Sequence, residues 1–286
     1  MVEGREEHTP ALPERTVQAT LATDVTPQPS LPEKEAWPQS LLHSFLLSAS
    51  FLTSIPIPLS PGAVSGGTIA GALRFFPVIG AIIGALAGFA DFLLRFVLPP
   101  VPVAVIDLAL LALLSGGLHL DALMDTADGI FGGLTVEQRL TIMKDSRIGS
   151  FGAIAGILIL LVEFTAITAL PDNNRWLAFI AAGACSRWSM LLSIAIFPSA
   201  RPTGLGASFR SAAKREPIVT GSIMLAGLLL PLLWLGLVLV IVSCLVVLTT
   251  GAYLTRQLKG LTGDSYGAIG ELSTAVSLLA LSALFR

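Results

Sequence analysis

An all-α fold, a multi-pass membrane bundle of about seven transmembrane helices with short interfacial helices, is what this sequence predicts. Three observations predict it. The chain is 53% hydrophobic and 13% charged over 286 residues, with a mean hydropathy of +0.80, whereas soluble domains carry about 25% charged residues. Apolar runs of the length that crosses a bilayer, about 20 residues, recur along it. The basic residues between those runs collect on alternate loops, the bias expected when those loops are cytoplasmic.

The elements follow in order. Residues 1–38 are rich in Pro, Glu and Thr, and carry Glu3, Glu6, Glu7, Glu14, Asp24, Glu33 and Glu35 against Arg5, Arg15 and Lys34. Such a stretch buries too little apolar surface to fold, and reads as a disordered acidic tail. It lacks the basic-then-apolar order of a signal peptide and the acid-poor composition of a transit peptide. The membrane-embedded domain is then 39–286. Segment 41–55 is apolar but short, and Pro56 and Pro58 end it, so it reads as an interfacial or half-buried helix. Spans are expected at 69–98 and 101–118, separated by Pro99-Pro100, and at 150–170 and 176–197, separated by Pro171 to Arg175. The run 217–258 is too long for one span, and Pro231 divides it into 217–233 and 234–255. The last span is 267–285. Gly80, Gly84 and Gly88 recur at spacing four, which permits close helix packing in lipid. Cys185 and Cys244 lie far apart inside apolar runs and read as buried small side chains.

If the loop after the second span is cytoplasmic, parity places 198–216 and 256–266 on the same side. Those loops hold Arg139, Lys144, Arg147, Arg201, Arg210, Lys214, Arg215, Arg256 and Lys259, while the other side holds little beyond Arg175 and Arg286. The formal net charge of −2 gives no footprint for nucleic acid.

The chemistry gathers on that one face. His119-Leu-Asp121-Ala-Leu-Met-Asp125-Thr-Ala-Asp128-Gly129 follows the apolar run 101–118. Spacings of four and then three place the three carboxylates on one face of a helix. Like charges stacked beside a bilayer are costly unless a cation fills the gap. A hard divalent ion, most often Mg²⁺, takes such oxygen ligands and then grips phosphates. The bland alternative is a solvated helix face, which the flanking Met124 and Ala127 disfavour. His119 is a candidate acid/base, or a structural histidine at a helix end.

A second polar knot is Lys144-Asp145-Ser146-Arg147. Arg147 offers a fork of donors for phosphate oxygens and Asp145 a further metal ligand; Lys144 serves either a substrate or anionic lipid. A third runs Lys259-Gly260-Leu-Thr262-Gly263-Asp264 to Glu271. Thr262 and the Gly263 backbone are suited to cradling phosphate. Asp264 is either a ligand or a helix cap, and Glu271 is an acid set into the membrane and therefore a functional candidate. In a fourth loop, Gly204 and Gly206 let backbone approach a ligand. Arg187 lies within an apolar run and needs a partner or a polar cavity, while the intramembrane Glu163 and Asp91 are less anchored to any motif. No nucleophile elbow, Walker loop, zinc spacing or dinucleotide fingerprint is present. Carboxylates, a metal, cations and glycines at a membrane face suit phosphoryl or phosphodiester transfer.

On these residues the chain resembles the cobalamin synthase family, the adenosylcobinamide-GDP ribazoletransferases of vitamin B12 assembly. The resemblance rests on Phe51-Leu-Thr53-Ser-Ile-Pro56-Ile-Pro58, Phe76-Pro77-Val-Ile-Gly80, the Gly116 to Gly129 block, Met143 to Gly149, Gly204-Leu-Gly206, and Thr262-Gly263-Asp264 through Gly267 to Glu271, in family order. It covers roughly 41–286 and not the acidic tail. Ala122 stands where glycine is frequent and Ser54 where a basic residue is common. The resemblance implies an integral inner-membrane enzyme with its active face cytoplasmic, requiring Mg²⁺. Its substrates would be adenosylcobinamide-GDP and α-ribazole or its 5′-phosphate, and its products GMP and adenosylcobalamin or its 5′-phosphate. It implies Asp121, Asp125 and Asp128, with Asp145, as the metal's ligands, Arg147 as the group stabilising leaving GMP, and Asp264 and Glu271 as holders of a second ion or acceptors of the attacking hydroxyl's proton. Expected partners are the lipid bilayer and either a second copy or other late-pathway enzymes.

Two other readings use the same residues. A CDP-alcohol phosphotransferase shares Asp125-Thr-Ala-Asp128-Gly129 but needs Ala-Arg where Phe131-Gly132 stands, and a later aspartate pair that is missing. A transporter would spread its polar groups through the bilayer and show inverted repeats of broken helices.

Overall fold

The aspartates owe their position to a break that the hydropathy pattern does not mark. In the computed structural model, which describes residues 37–58 and 65–285, the run 101–118 is not one helix with the aspartates trailing from its end. Pro100–Leu114 forms one helix and Leu118–Gly132 the next, and the two meet at 86°. Gly116 and Gly117, at φ 64° and 70°, make the corner; a side chain is strained in that left-handed region and glycine is not.

The described residues form twelve α-helices: α1 Trp37–Leu52, α2 Gly66–Arg74, α3 Phe76–Leu94, α4 Pro100–Leu114, α5 Leu118–Gly132, α6 Val136–Ile142, α7 Ser150–Ala169, α8 Arg175–Ile196, α9 Leu205–Ala212, α10 Arg215–Leu229, α11 Trp234–Leu258 and α12 Gly263–Leu284. No named strand occurs among them, and the one extended pairing is a bridge between Ser199 and Leu261. Six of these segments are long and apolar enough to cross a membrane, and the bent pair α4–α5 makes a seventh. The chain is a multi-pass helical membrane protein. The acidic tail expected over 1–38 lies outside the described residues, save that Trp37 and Pro38 begin α1.

The other departures have local causes. The expected span 69–98 divides into α2 and α3, because Pro77 in the first turn of α3 has no N–H to continue a preceding helix. Ser65 caps α2 by accepting the amide of Thr68 at 3.1 Å. Pro231 separates α10 from α11 as expected, through a short 3-10 turn. The last span begins four residues before 267 because Thr262 accepts the Ser265 amide at 3.2 Å and starts α12 there. That brings Asp264 into its first turn.

The Gly80, Gly84 and Gly88 stripe packs α3 directly on α8. A Cβ at Gly80 or Gly84 would overlap the carbonyls of Gly183 and Phe179, and one at Gly88 would meet Trp176 Cα at 3.0 Å. Both cysteines are free, Cys185 buried.

The polar loops gather at one end of the bundle. Ala200 N donates to Leu261 O at 2.9 Å, and Leu261 N to Pro198 O at 2.8 Å. Arg201 Nη2 donates to Leu140 O at 3.2 Å, and Arg139 Nη1 to Gln257 O at 3.1 Å. The opposite end is held by Arg175, which donates to Asp91 at 3.0 Å through Nε and reaches Asp107 at 3.5 Å. Arg95 there pairs with Asp172, a cation the sequence reading leaves off that side. A cleft of about 720 Å³ opens at this end, lined by Phe89, Phe92, Arg95, Asp172 and Trp176; it contains none of the predicted site residues.

Candidate functional site

The carboxylates of α5 do not all face the same surroundings. Asp121 is exposed, Asp125 half-buried and Asp128 buried. Asp128 is taken up by α7. That helix begins at Gly149, which has no side chain to cap it. Asp128 supplies the cap from α5, accepting Gly149 N–H at 2.7 Å on Oδ2 and Gly152 N–H at 2.8 Å on Oδ1. A carboxylate at a helix N-terminus is favoured both by the free amides and by the helix dipole. The approach demands glycine: a Cβ at either Gly149 or Gly152 would overlap this carboxylate.

Asp125 lies within Coulombic reach of Asp121, Asp264 and Asp128. The meeting of α5 and α12 explains how Asp264, far along the chain, joins them. Gly267 of α12 packs against α5, where a Cβ would meet Ala122 Cβ at 2.6 Å and His119 Cα at 3.7 Å. One turn earlier Asp264 faces the aspartate helix, and one turn later Glu271 stands on the same side of α12. Arg201 is the cation within reach of Asp264.

Asp145 is not among the groups felt at Asp125. Its Oδ1 accepts Arg147 N at 3.1 Å and Nε at 3.0 Å, and its Oδ2 accepts Nη2 at 2.7 Å. These bonds from Arg147 push the Asp145 carboxyl down to about 2. The structure therefore brings Asp145 and Arg147 to each other, in an exposed loop where Lys144 and Ser146 are also exposed. The Arg147 side chain is 87% exposed.

The glycine loops converge. Gly206, in the first turn of α9, lies where a Cβ would meet Gly263 N at 3.2 Å and the Tyr266 ring at 3.5 Å. The starts of α9 and α12 are thus neighbours, with Gly263 exposed. Gly204, at φ 103°, starts α9. Thr262 is buried; its hydroxyl is engaged as the cap of α12, 3.4 Å from Asp264 Oδ2 and 3.1 Å from Ser265 Oγ. Free amides of paired helix starts suit anionic oxygens.

His119 is 1% exposed, and its Nδ1 faces Arg187 Nη2 at 3.4 Å. Guanidinium only donates, so Nδ1 accepts. This histidine looks into the protein rather than onto the aspartate face. Arg187, which the sequence shows to need a partner, finds one on another helix, at His119. Arg139 was read simply as loop charge, yet it ties the α5–α6 turn to α11 through Gly133 O at 3.0 Å and Gln257 O.

Among the described residues no three His, Cys, Asp or Glu side chains converge closely enough to enclose a metal ion. Mg²⁺ does not need such a cage, since it keeps several waters and takes one or two carboxylates plus substrate phosphates. Asp121, Asp125 and Asp264 repel one another through hard oxygen donors, and one or two such carboxylates fit a hydrated Mg²⁺.

The comparisons agree on one family. A family model described as cobalamin-5-phosphate synthase matches residues 44–282. An adenosylcobinamide-GDP ribazoletransferase of Desulforamulus reducens is 35% identical over 237 residues, covering 81% of this chain and 93% of the relative. One from Trichormus variabilis is 34% identical over 253 residues, 85% of this chain and 98% of the relative. One from Roseiflexus is 36% identical over 242 residues, 82% and 88% of the two chains. No solved structure matches it.

Proposed function

The chain belongs to the cobalamin-5-phosphate synthase family, and from that membership and the carboxylate face between α5 and α12 we propose that it joins adenosylcobinamide-GDP to α-ribazole or its 5′-phosphate. A ribose hydroxyl of the acceptor attacks the phosphorus attached to the cobinamide arm. The new O–P bond forms as the diphosphate bridge breaks, GMP leaves with the electron pair, and the hydroxyl proton passes to a carboxylate of the protein. The product is adenosylcobalamin or its 5′-phosphate.

The single observation that carries this reading is the meeting of Asp121 and Asp125 with Asp264, within Coulombic reach of one another at the polar end of a membrane bundle. One or two of Asp121, Asp125 and Asp264 would hold Mg²⁺. When bound, the ion neutralises the diphosphate and stabilises the leaving phosphate. The remaining roles fall to the chain's own groups. The amides at Gly206 and Gly263 cradle diphosphate oxygens. Arg147, held by Asp145 yet open to solvent, meets the phosphate of GMP. Glu271, two turns along α12 from Asp264, takes the acceptor's proton. Asp128 holds the start of α7 in place rather than the ion. The basic loops at this end support a cytoplasmic active face in the inner membrane.

The test is GMP release by the purified protein in lipid, with and without Mg²⁺, for the wild type and for Asp125→Asn. Release that needs the ion and disappears in the variant supports the reading; Mg²⁺-independent release would remove the metal from it.

A further inference from the structure

Beneath the aspartate face lies a second polar cluster to which the transfer chemistry assigns no task. Arg187 of α8 is 4% exposed and Glu163 of α7 is 3% exposed. A guanidinium buried at this depth in a membrane bundle is costly unless charge and hydrogen bonds compensate it. The opposite charges within reach of Arg187 are Glu271 and Glu163. Its hydrogen bonds run elsewhere. Nη1 donates to Ser186 Oγ at 3.1 Å and Nη2 faces His119 Nδ1 at 3.4 Å. The Ser186 hydroxyl in turn donates to the carbonyl of Gly270 at 2.8 Å. Two adjacent side chains on α8, Arg187 and Ser186, therefore link α5 at His119 to α12 at the residue before Glu271. Those are the helices that carry Asp121 and Asp125 on one side and Asp264 and Glu271 on the other.

The surroundings keep that link in place. Gly80 of α3 leaves room beside it, since a Cβ there would come within 3.1 Å of Arg187 Cδ. Arg187 Nε, His119 Nε2 and Glu163 Oε1 have no hydrogen-bond partner among the described residues. Three orphaned polar atoms in one cluster mark a place retained for something other than stability. Glu271 and Glu163 both face the guanidinium, Glu271 with the larger attraction.

We propose that Arg187 is a positioning residue, joining α5 to α12 through His119 and through Ser186 and Gly270 and facing Glu271 and Glu163, so that Glu271 is held at a fixed offset from the aspartate face. The inference rests on the transfer reaction proposed above. Small displacements of a reacting group lower turnover steeply, so the signature is a fall in kcat with little change in KM.

The experiment measures GMP release, KM for both substrates and the melting temperature for wild type, Ser186→Ala, Arg187→Lys and the double variant Glu163→Gln with Arg187→Gln. Ser186→Ala leaves every charge in place and removes the hydroxyl that accepts from Arg187 and donates to Gly270. It is expected to lower kcat about tenfold while both KM values and the melting temperature stay near wild type. Arg187→Lys keeps the charge but not the fork, and is expected to lose more than about tenfold in kcat. The neutral double variant is expected to melt near wild type yet stay as slow as Arg187→Lys. Wild-type kcat in Ser186→Ala, or a double variant that recovers both stability and kcat, would overturn the positioning role and leave a structural charge pair. Silence from the wild type strikes instead at the reaction on which the inference rests.

Discussion

Replacing Asp128 by asparagine separates a helix cap from a metal ligand. In the wild type both carboxylate oxygens accept an amide of the first turn of α7, at 2.7 and 2.8 Å. Asparagine keeps one oxygen acceptor but turns its NH₂ toward the second amide, donor against donor. One charge-assisted bond is lost, about 1.5–3 kcal/mol, in line with the roughly 0.5–2 kcal/mol of an N-cap and the 0.3–1 kcal/mol or so of a charge on the helix dipole. A cost of about 2 kcal/mol follows, and at roughly 2–4 °C per kcal/mol for a chain of this size the melting temperature falls by about 4–8 °C. The assay is thermal unfolding in a mild detergent, paired with amide exchange in α7 and a Mg²⁺ titration of GMP release. Exchange is expected to rise at residues 149–153, and the Mg²⁺ midpoint to stay within about twofold. Gly152→Ala is expected to act alike, since its Cβ would overlap the same carboxylate and lie 2.8 Å from Met124 O; forcing the two helices apart costs about 1–3 kcal/mol. A variant Asp128→Asn that melts with the wild type while its Mg²⁺ midpoint moves tenfold would refute the cap and return Asp128 to the metal.

Three further outcomes are expected. Asp125→Asn removes a like charge from among Asp121, Asp128 and Asp264, so GMP release falls by a factor on the order of 10²–10³ while the melting temperature holds or rises; a parallel loss of stability would contradict this. Arg147 holds the Asp145 carboxyl at about 2, below its unfolded value, so any stabilising effect of the pair is complete above the ordinary carboxylate range and is lost only as pH falls through about 2. The pH–rate profile from 5 to 8 in Asp145→Asn should therefore keep the wild-type shape, and a displaced acid limb would count against the assignment. Gly206→Ala places a methyl 3.2 Å from Gly263 N and is expected to raise KM for the nucleotide substrate several-fold at unchanged melting temperature; an unchanged KM would count against the cradle.

The spans were legible because their cause is local: bilayer length, proline and the gathering of basic loops are all written in order along the chain. Close packing of α3 was legible too, since Gly80, Gly84 and Gly88 lie on one helix face, but that α8 is its partner was not. The corner at Gly116 and Gly117 was harder to read, because hydropathy continues smoothly across it and only backbone dihedrals mark the turn. Within the candidate site, Asp121 and Asp125 could be read from spacing alone, but spacing gives a face and not its neighbours. Asp128 shares that face, yet α7 arrives there and takes its oxygens. Asp145 sits beside Arg147 in sequence and pairs with it, a contact that the pull toward a metal site obscured. Arg187 and Glu163 belong to different helices, and nothing in either segment announces that the fold brings them together over His119.

Turnover measured as GMP release by the purified protein in lipid, with adenosylcobinamide-GDP, α-ribazole 5′-phosphate and Mg²⁺ beside an Asp125→Asn control, tests the central claim most directly. The account predicts GMP and a cobalamin product in equal amounts from the wild type, and both lowered by a factor on the order of 10²–10³ in the control. A folded wild-type protein that yields no GMP, or a control that yields as much as the wild type, would contradict it.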